Sequence, residues 1–174
     1  PTLIDVVILI SLFPQANCVI KEAVRRNPFM GSTVRAADYI SNSEPEELLE
    51  SCVNYLGNGK SLLLFPEGTR TRHQEPIDFK PGAATVAARA KVDILPIAIE
   101  CEPLYLSKQL PWYYVPRTVP TFTIRVLPPR KATDLVPTAA DERRYRQELN
   151  SALLDLIRRE LADMEFSRKP IYNA

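Results

Sequence analysis

The segment Phe65-Pro66-Glu67-Gly68-Thr69-Arg70 gathers groups suited to an anionic ligand. Arg70 is followed by Arg72 and Lys80, with few acids nearby. A guanidinium is a planar fork that grips phosphate through two parallel hydrogen bonds, so it adds geometry as well as charge. Gly68 lets backbone N–H groups come close to an anion. Thr69 offers a hydroxyl donor, and Glu67 can orient Arg70 or accept a hydrogen bond from a substrate hydroxyl. The same spacing also suits a plain polar turn closed by a Glu–Arg pair. His73, the only histidine, is read as a solvated loop residue rather than a base. Asp5, taken by itself, reads as a helix cap or first-turn acid.

The elements that must position these groups follow from the hydrophobic pattern. Lys60 to Phe65 is a short continuous apolar run, which suits a strand buried on both faces of a parallel sheet. A loop, Pro66 to Lys80, leaves its carboxyl end, where open α/β sheets bind ligands. Pro81 then opens a helix of small residues, and Ile94 to Ile99 gives the next strand, with Pro96 at a strand start or bulge. Strand, helix and strand make a right-handed βαβ unit. Upstream, Thr2 to Phe13 reads as a buried helix closed by Pro14, Cys18 to Ile20 as a strand, and Glu22 to Asn27 as a helical turn. Ser43 with Glu46 forms a capping box for a helix to about Leu56, ended by Gly57 and Gly59. Leu104 to Pro120 is irregular and aromatic; its Pro111-Trp112-Tyr113-Tyr114 suits a membrane interface, an acyl pocket or ordinary loop packing. Thr121 to Leu127 alternates like a strand, and Thr138 caps a long helix over about 138–164 with the stripe Tyr145, Leu149, Ala152, Leu153, Leu156 and Leu161. The fold class is α/β, a mostly parallel central sheet flanked by helices, in a single domain over 1–174.

Composition narrows the function. With 174 residues and 45% hydrophobic side chains, the chain can bury one sizeable core. Balanced charge, 22 Lys and Arg against 21 Asp and Glu, lacks the electrostatic footprint of a nucleic-acid binder. The cysteines Cys18, Cys52 and Cys101 are too few and too scattered for a disulfide scaffold or a zinc site, so no metal is expected. They read as reduced and semi-buried in a cytosolic setting. The apolar run from Leu3 to Phe13 is broken by Asp5 and Ser11 and falls far short of the ~20 residues a spanning helix needs. It carries no basic leader, so it is not a signal peptide.

Several blocks together resemble the glycerolipid acyltransferases, whose best-known members are the lysophosphatidic acid acyltransferases. Phe65 to Arg70 is similar to that family's FPEGTR block. Val19-Ile20-Lys21-Glu22 and Asn27-Pro28-Phe29-Met30-Gly31 resemble its acceptor block, Phe79-Lys80-Pro81-Gly82-Ala83 its F-K-x-G-A stretch, and Ile94-Leu95-Pro96-Ile97 its last block. The likeness runs over about Pro1 to Ile99 and loosens after Cys101.

The resemblance implies a catalytic His-x-x-x-x-Asp in which Asp5 is the acid and the His stands immediately before Pro1. The sequence therefore reads as truncated just after that His, and the chain as given is expected to be inactive. In the intact enzyme the His would take the proton of an acceptor hydroxyl, which attacks an acyl thioester directly, while Asp5 holds the imidazole. The substrate-binding residues implied are Lys21, Gly31, Glu67, Gly68, Thr69, Arg70 and Lys80. No cofactor is implied; acyl-CoA or an acylated acyl carrier protein is co-substrate. The other partners are a lysophospholipid and a membrane surface, with no nucleic acid. The expected location is the cytoplasmic face of the membrane, peripheral or anchored by a segment outside this sequence. One departure stands out: the family often closes its acceptor block with Arg, and Tyr39-Ile40-Ser41-Asn42 has none. It motivates acyl transfer to a different acceptor in a specialised lipid pathway. A non-catalytic lipid-binding module is the other alternative, and the residue before Pro1 separates it from an enzyme.

Overall fold

The computed structural model describes residues 2, 4–21, 40–42, 44–69, 75–107, 110–111 and 113–168. The turn read at Glu22–Asn27, together with Gly31, Ser43, Arg70, Arg72, His73 and Trp112, lies outside them. In chain order the elements are α1 (Asp5–Leu12), β1 (Ala16–Lys21), β2 (Ile40–Asn42), α2 (Pro45–Gly57), β3 (Ser61–Leu63), α3 (Gly82–Ala90), β4 (Ile97–Glu102), β5 (Thr121–Val126), α4 (Ala132–Leu135) and α5 (Glu142–Arg168).

A three-stranded parallel sheet has the order β2-β1-β3, with Val19 opposite Ile40 and Cys18 opposite Leu63. A separate antiparallel pair joins β4 to β5, with Ile99 opposite Ile124. The α/β class holds, but the expected parallel pairing of the strands flanking α3 does not occur among the described residues. The apolar run at 60–65 pairs over Ser61–Leu63 only, and its side chains are half-buried or exposed rather than covered on both faces. Pro66 explains the early stop, because it starts a turn that takes Leu64 and Phe65 out of the ladder. Pro96 acts as expected at a strand boundary. Ile94 exchanges both backbone hydrogen bonds with Arg130 at 2.8 Å, then Leu95 and Pro96 oppose Leu127, Pro128 and Pro129 before regular pairing begins at Ile97.

The helices also refine the reading. α1 is buried on one side only, since Leu9 is covered while Val7 and Leu12 are exposed. Glu44 is the N-cap of α2, with Pro45 in its first turn, and Ser43 of the expected capping box lies outside the described residues. Asp141, not Thr138, starts α5: its carboxylate accepts the Arg144 N–H at 2.8 Å and its carbonyl accepts the Tyr145 N–H. The core lies between α3, α4 and α5, where Phe79, Ala84, Ala87, Ala132, Val136, Leu149 and Leu153 pack together. Small alanines on α3 let the long helix approach closely.

Cys18 and Cys52 are buried free thiols. Burial pushes the Cys18 thiol from its ordinary 9.0 up to about 11. Below the unfolded value both states keep the proton. As pH rises between the two values the unfolded chain ionises and the native chain does not, so stability falls with increasing pH. The stability advantage of wild type over Cys18→Ala is expected to shrink by roughly 2 kcal/mol between pH 8 and 10.5, read by urea unfolding.

Candidate active site

Asp5 opens α1 and is 1% exposed. A buried carboxylate needs donors, and Thr2 supplies two. The Thr2 N–H donates to one Asp5 oxygen at 2.7 Å, and the Thr2 hydroxyl donates to the other. The Ile4 N–H donates to Thr2 Oγ1 at 3.3 Å. Thr2 thus binds both carboxylate oxygens just ahead of a helix whose N-cap is Ile4, which fixes the carboxylate with its flanks committed. Sequence reading singled out Asp5 and passed over Thr2, although the spacing Thr2-x-x-Asp5 carries the signal. Cys101, near the end of β4, lies within electrostatic reach of Asp5, a link that reading missed. Its thiol is raised first by burial and then by the charges of Asp5 and Glu102, against a lowering backbone hydrogen bond from Tyr105.

The loop after β3 begins with a tight turn. The Gly68 N–H donates to the Phe65 carbonyl at 3.1 Å, with Pro66 second and Gly68 fourth, as such turns favour. Gly68 has φ +65, and a Cβ there would meet only Lys80 Cγ at 3.5 Å. The cost of a side chain is therefore backbone strain rather than crowding. Gly68→Ala is expected to cost about 1–2 kcal/mol in unfolding free energy, and Gly68→Asn less, because Asn tolerates the left-handed region.

The turn is held from the far side of the sequence. The Lys80 N–H donates to the Pro66 carbonyl at 2.7 Å. Asn150 Nδ2 on α5 donates to the Phe79 carbonyl at 3.1 Å, and Arg158 Nη2 donates to the Ile77 carbonyl at 2.6 Å. The long helix thus clamps residues 77–80, and those residues pin the turn. Lys80 itself reaches Asp78 at 3.8 Å with both side chains about 70% exposed, so the pair adds little stability and leaves the ammonium accessible.

Gly68 and Lys80 meet in the lining of a cleft of about 430 Å³ between α2, α3 and β3. Its wall is mainly apolar, with Leu48, Cys52, Phe65 and Val86 among the lining residues. Such a cleft suits an amphiphile, with its alkyl part inside and an anionic end at the turn and the ammonium. Of the site residues expected from sequence, Gly68 and Lys80 come together here, while Glu67 lies on the same turn and Thr69 directly follows it. Lys21 ends β1, the strand beside β3. Asp5 does not line the cleft; its carboxylate is held by Thr2. Gly31 and Arg70 lie outside the described residues. No group of three His, Cys, Asp or Glu placed to hold a metal occurs among the described residues.

Comparison with known proteins converges on one family. The chain is 33% identical over 105 residues to a 1-acyl-sn-glycerol-3-phosphate acyltransferase of Chlamydomonas reinhardtii, covering 60% of this chain and 30% of that protein. It is 28% identical over 120 residues to the enzyme of that name from Helicobacter pylori, covering 64% and 51%. The chain thus spans about a third to a half of the length of these relatives. The crystal structure of the 1-acyl-sn-glycerophosphate (LPA) acyltransferase PlsC from Thermotoga maritima superimposes with a TM-score of 0.61 at 17% identity, over 92% of this chain and 63% of that one, which establishes a shared fold. The family model described as Acyltransferase matches residues 1–100, more than half of the sequence, and the chain belongs to that family.

Proposed function

We propose that the full-length protein transfers an acyl group from a thioester, acyl-CoA or an acylated acyl carrier protein, to the free hydroxyl of a lysophospholipid, lysophosphatidic acid being the first choice. The observation that carries this reading is the fixed, buried Asp5 carboxylate at the acid position of the family's motif. A histidine preceding Pro1 takes the acceptor's hydroxyl proton as the oxygen attacks the thioester carbonyl. The carbon–sulfur bond then breaks, and the proton passes to the departing thiolate. Asp5 orients the imidazole and stabilises its protonated form, so no acyl-enzyme forms. The acceptor's phosphate sits against Arg70, Lys80 and the turn at Gly68, which fixes the hydroxyl's position. The protein works at the cytoplasmic membrane face, where its acceptor resides.

An acyl-transfer assay on the full-length protein with lysophosphatidic acid tests the reading. Arg70→Ala is expected to raise KM for a phosphate-bearing acceptor by about tenfold or more, with a smaller change in kcat. An unchanged KM rejects the phosphate role. The absence of Arg in Tyr39–Asn42 favours one other acceptor class, a lipid hydroxyl without glycerol phosphate. Competition between lysophosphatidic acid and such acceptors decides between them.

A further inference from the structure

The connection between β4 and β5 carries an apolar surface that the chemistry above does not use. Tyr113, Val115 and Val119 are 69%, 78% and 87% exposed, and Tyr114 is 41% exposed. Residues 103–120 also contain Tyr105 and Trp112, two cations, Lys108 and Arg117, and no acid. Water disfavours such a display, and grouped exposed apolar side chains mark contact surfaces. The boundary between water and hydrocarbon favours it, because a tyrosine ring enters the apolar layer while its hydroxyl stays at the headgroups. Position strengthens the case. The segment leaves β4 beside Cys101, whose thiol donates to the Pro103 carbonyl at 3.5 Å and feels the charge of Asp5. Its root therefore lies within electrostatic reach of the candidate catalytic acid.

We propose that residues 110–120 form a bilayer-docking loop, which seats its tyrosines and valines in the headgroup layer of an anionic membrane. Arg117 is the exposed cation among the described residues of this segment, and it complements anionic headgroups. An acidic protein would be read by a cluster of cations, whereas this surface is chiefly apolar and aromatic. Docking here would bring the candidate site to the surface from which a lysophospholipid is drawn; that consequence rests on the proposed function, but docking itself does not.

The test uses the full-length protein with tryptophans outside residues 1–174 replaced by Phe, so that Trp112, the only tryptophan in this sequence, reports on the loop. Vesicles of phosphatidylcholine, with and without phosphatidylglycerol, are prepared with brominated acyl chains. The expected result is a blue shift and quenching of Trp112 emission, stronger with phosphatidylglycerol and weakened by salt. The variant Tyr113→Ser/Val115→Ser/Val119→Ser is expected to lose that quenching and to partition at least about tenfold less. Unchanged Trp112 emission on vesicle addition overturns the proposal, as does equal partitioning of wild type and variant. A response to acyl carrier protein but not to vesicles overturns it in favour of a protein partner. Where the variant fails to fold by circular dichroism, the wild-type quenching decides alone. Vesicle binding without acyl transfer would sink the enzymatic reading and leave the docking loop standing.

Discussion

Asp5→Asn in the full-length protein is expected to lower kcat by roughly 10²–10⁴-fold while leaving KM for the acceptor nearly unchanged. An amide cannot stabilise a protonated imidazole, and it presents a donor where the carboxylate presented an acceptor. That loss falls on the transition state, in which the imidazole is charged. The same substitution disturbs the fold, because the carboxylate accepts both the Thr2 N–H and the Thr2 hydroxyl. The Asn side chain keeps one acceptor and turns its NH2 toward one of these donors, at a cost of about 1–3 kcal/mol. Kinetics normalised to the folded fraction, with urea unfolding alongside, separate the two effects. A variant that keeps wild-type kcat would remove Asp5 from the chemistry and leave it a first-turn acid bound to Thr2.

Leu149→Ala is expected to destabilise the protein by about 2–5 kcal/mol, the range for emptying a fully enclosed leucine site. Leu149 is 0% exposed and packs in the cluster with Phe79, Ala84 and Leu153. Its neighbour Asn150 holds the Phe79 carbonyl, and the Lys80 N–H holds the turn at Pro66. The cavity is thus expected to loosen the turn as well, seen as a raised KM for the acceptor in the folded protein. Urea unfolding gives the first effect and steady-state kinetics the second. A destabilisation below about 1 kcal/mol would show that the helix is not the anchor of this core.

Much of this arrangement was legible from sequence because it is set locally. Proline at the head of α3, small residues along it, the turn chemistry of Phe65 to Gly68 and the helical stripe of α5 each act within a few residues. What was not legible depends on partners. The run Lys60–Phe65 has the same hydrophobicity whether it is flanked by one strand or two, and β3 pairs with β1 alone among the described residues. The pattern at Ile94–Ile99 says strand but not direction, and β4 turned out to pair antiparallel with β5. Thr138 and Asp141 are both good caps, but Val136 and Ala139 pack toward the core, which delays the helix to Asp141. For the candidate site, the motif blocks carried the family, which the match over residues 1–100 shows, whereas the hydrogen bonds from Asn150 and Arg158 join residues far apart in the chain and no motif announces them.

The clamp of α5 on residues 77–80 means that kinship and mechanical independence have different borders. The part of the chain recognisable to its relatives ends near residue 100, yet Phe79, Ala84 and Ala87 are shielded by side chains from beyond residue 130. A piece severed at the first border would present that surface to solvent and lose the grip on the turn at Pro66–Gly68. Drift beyond residue 130 can therefore reach the turn at Pro66–Gly68 without touching a single motif residue.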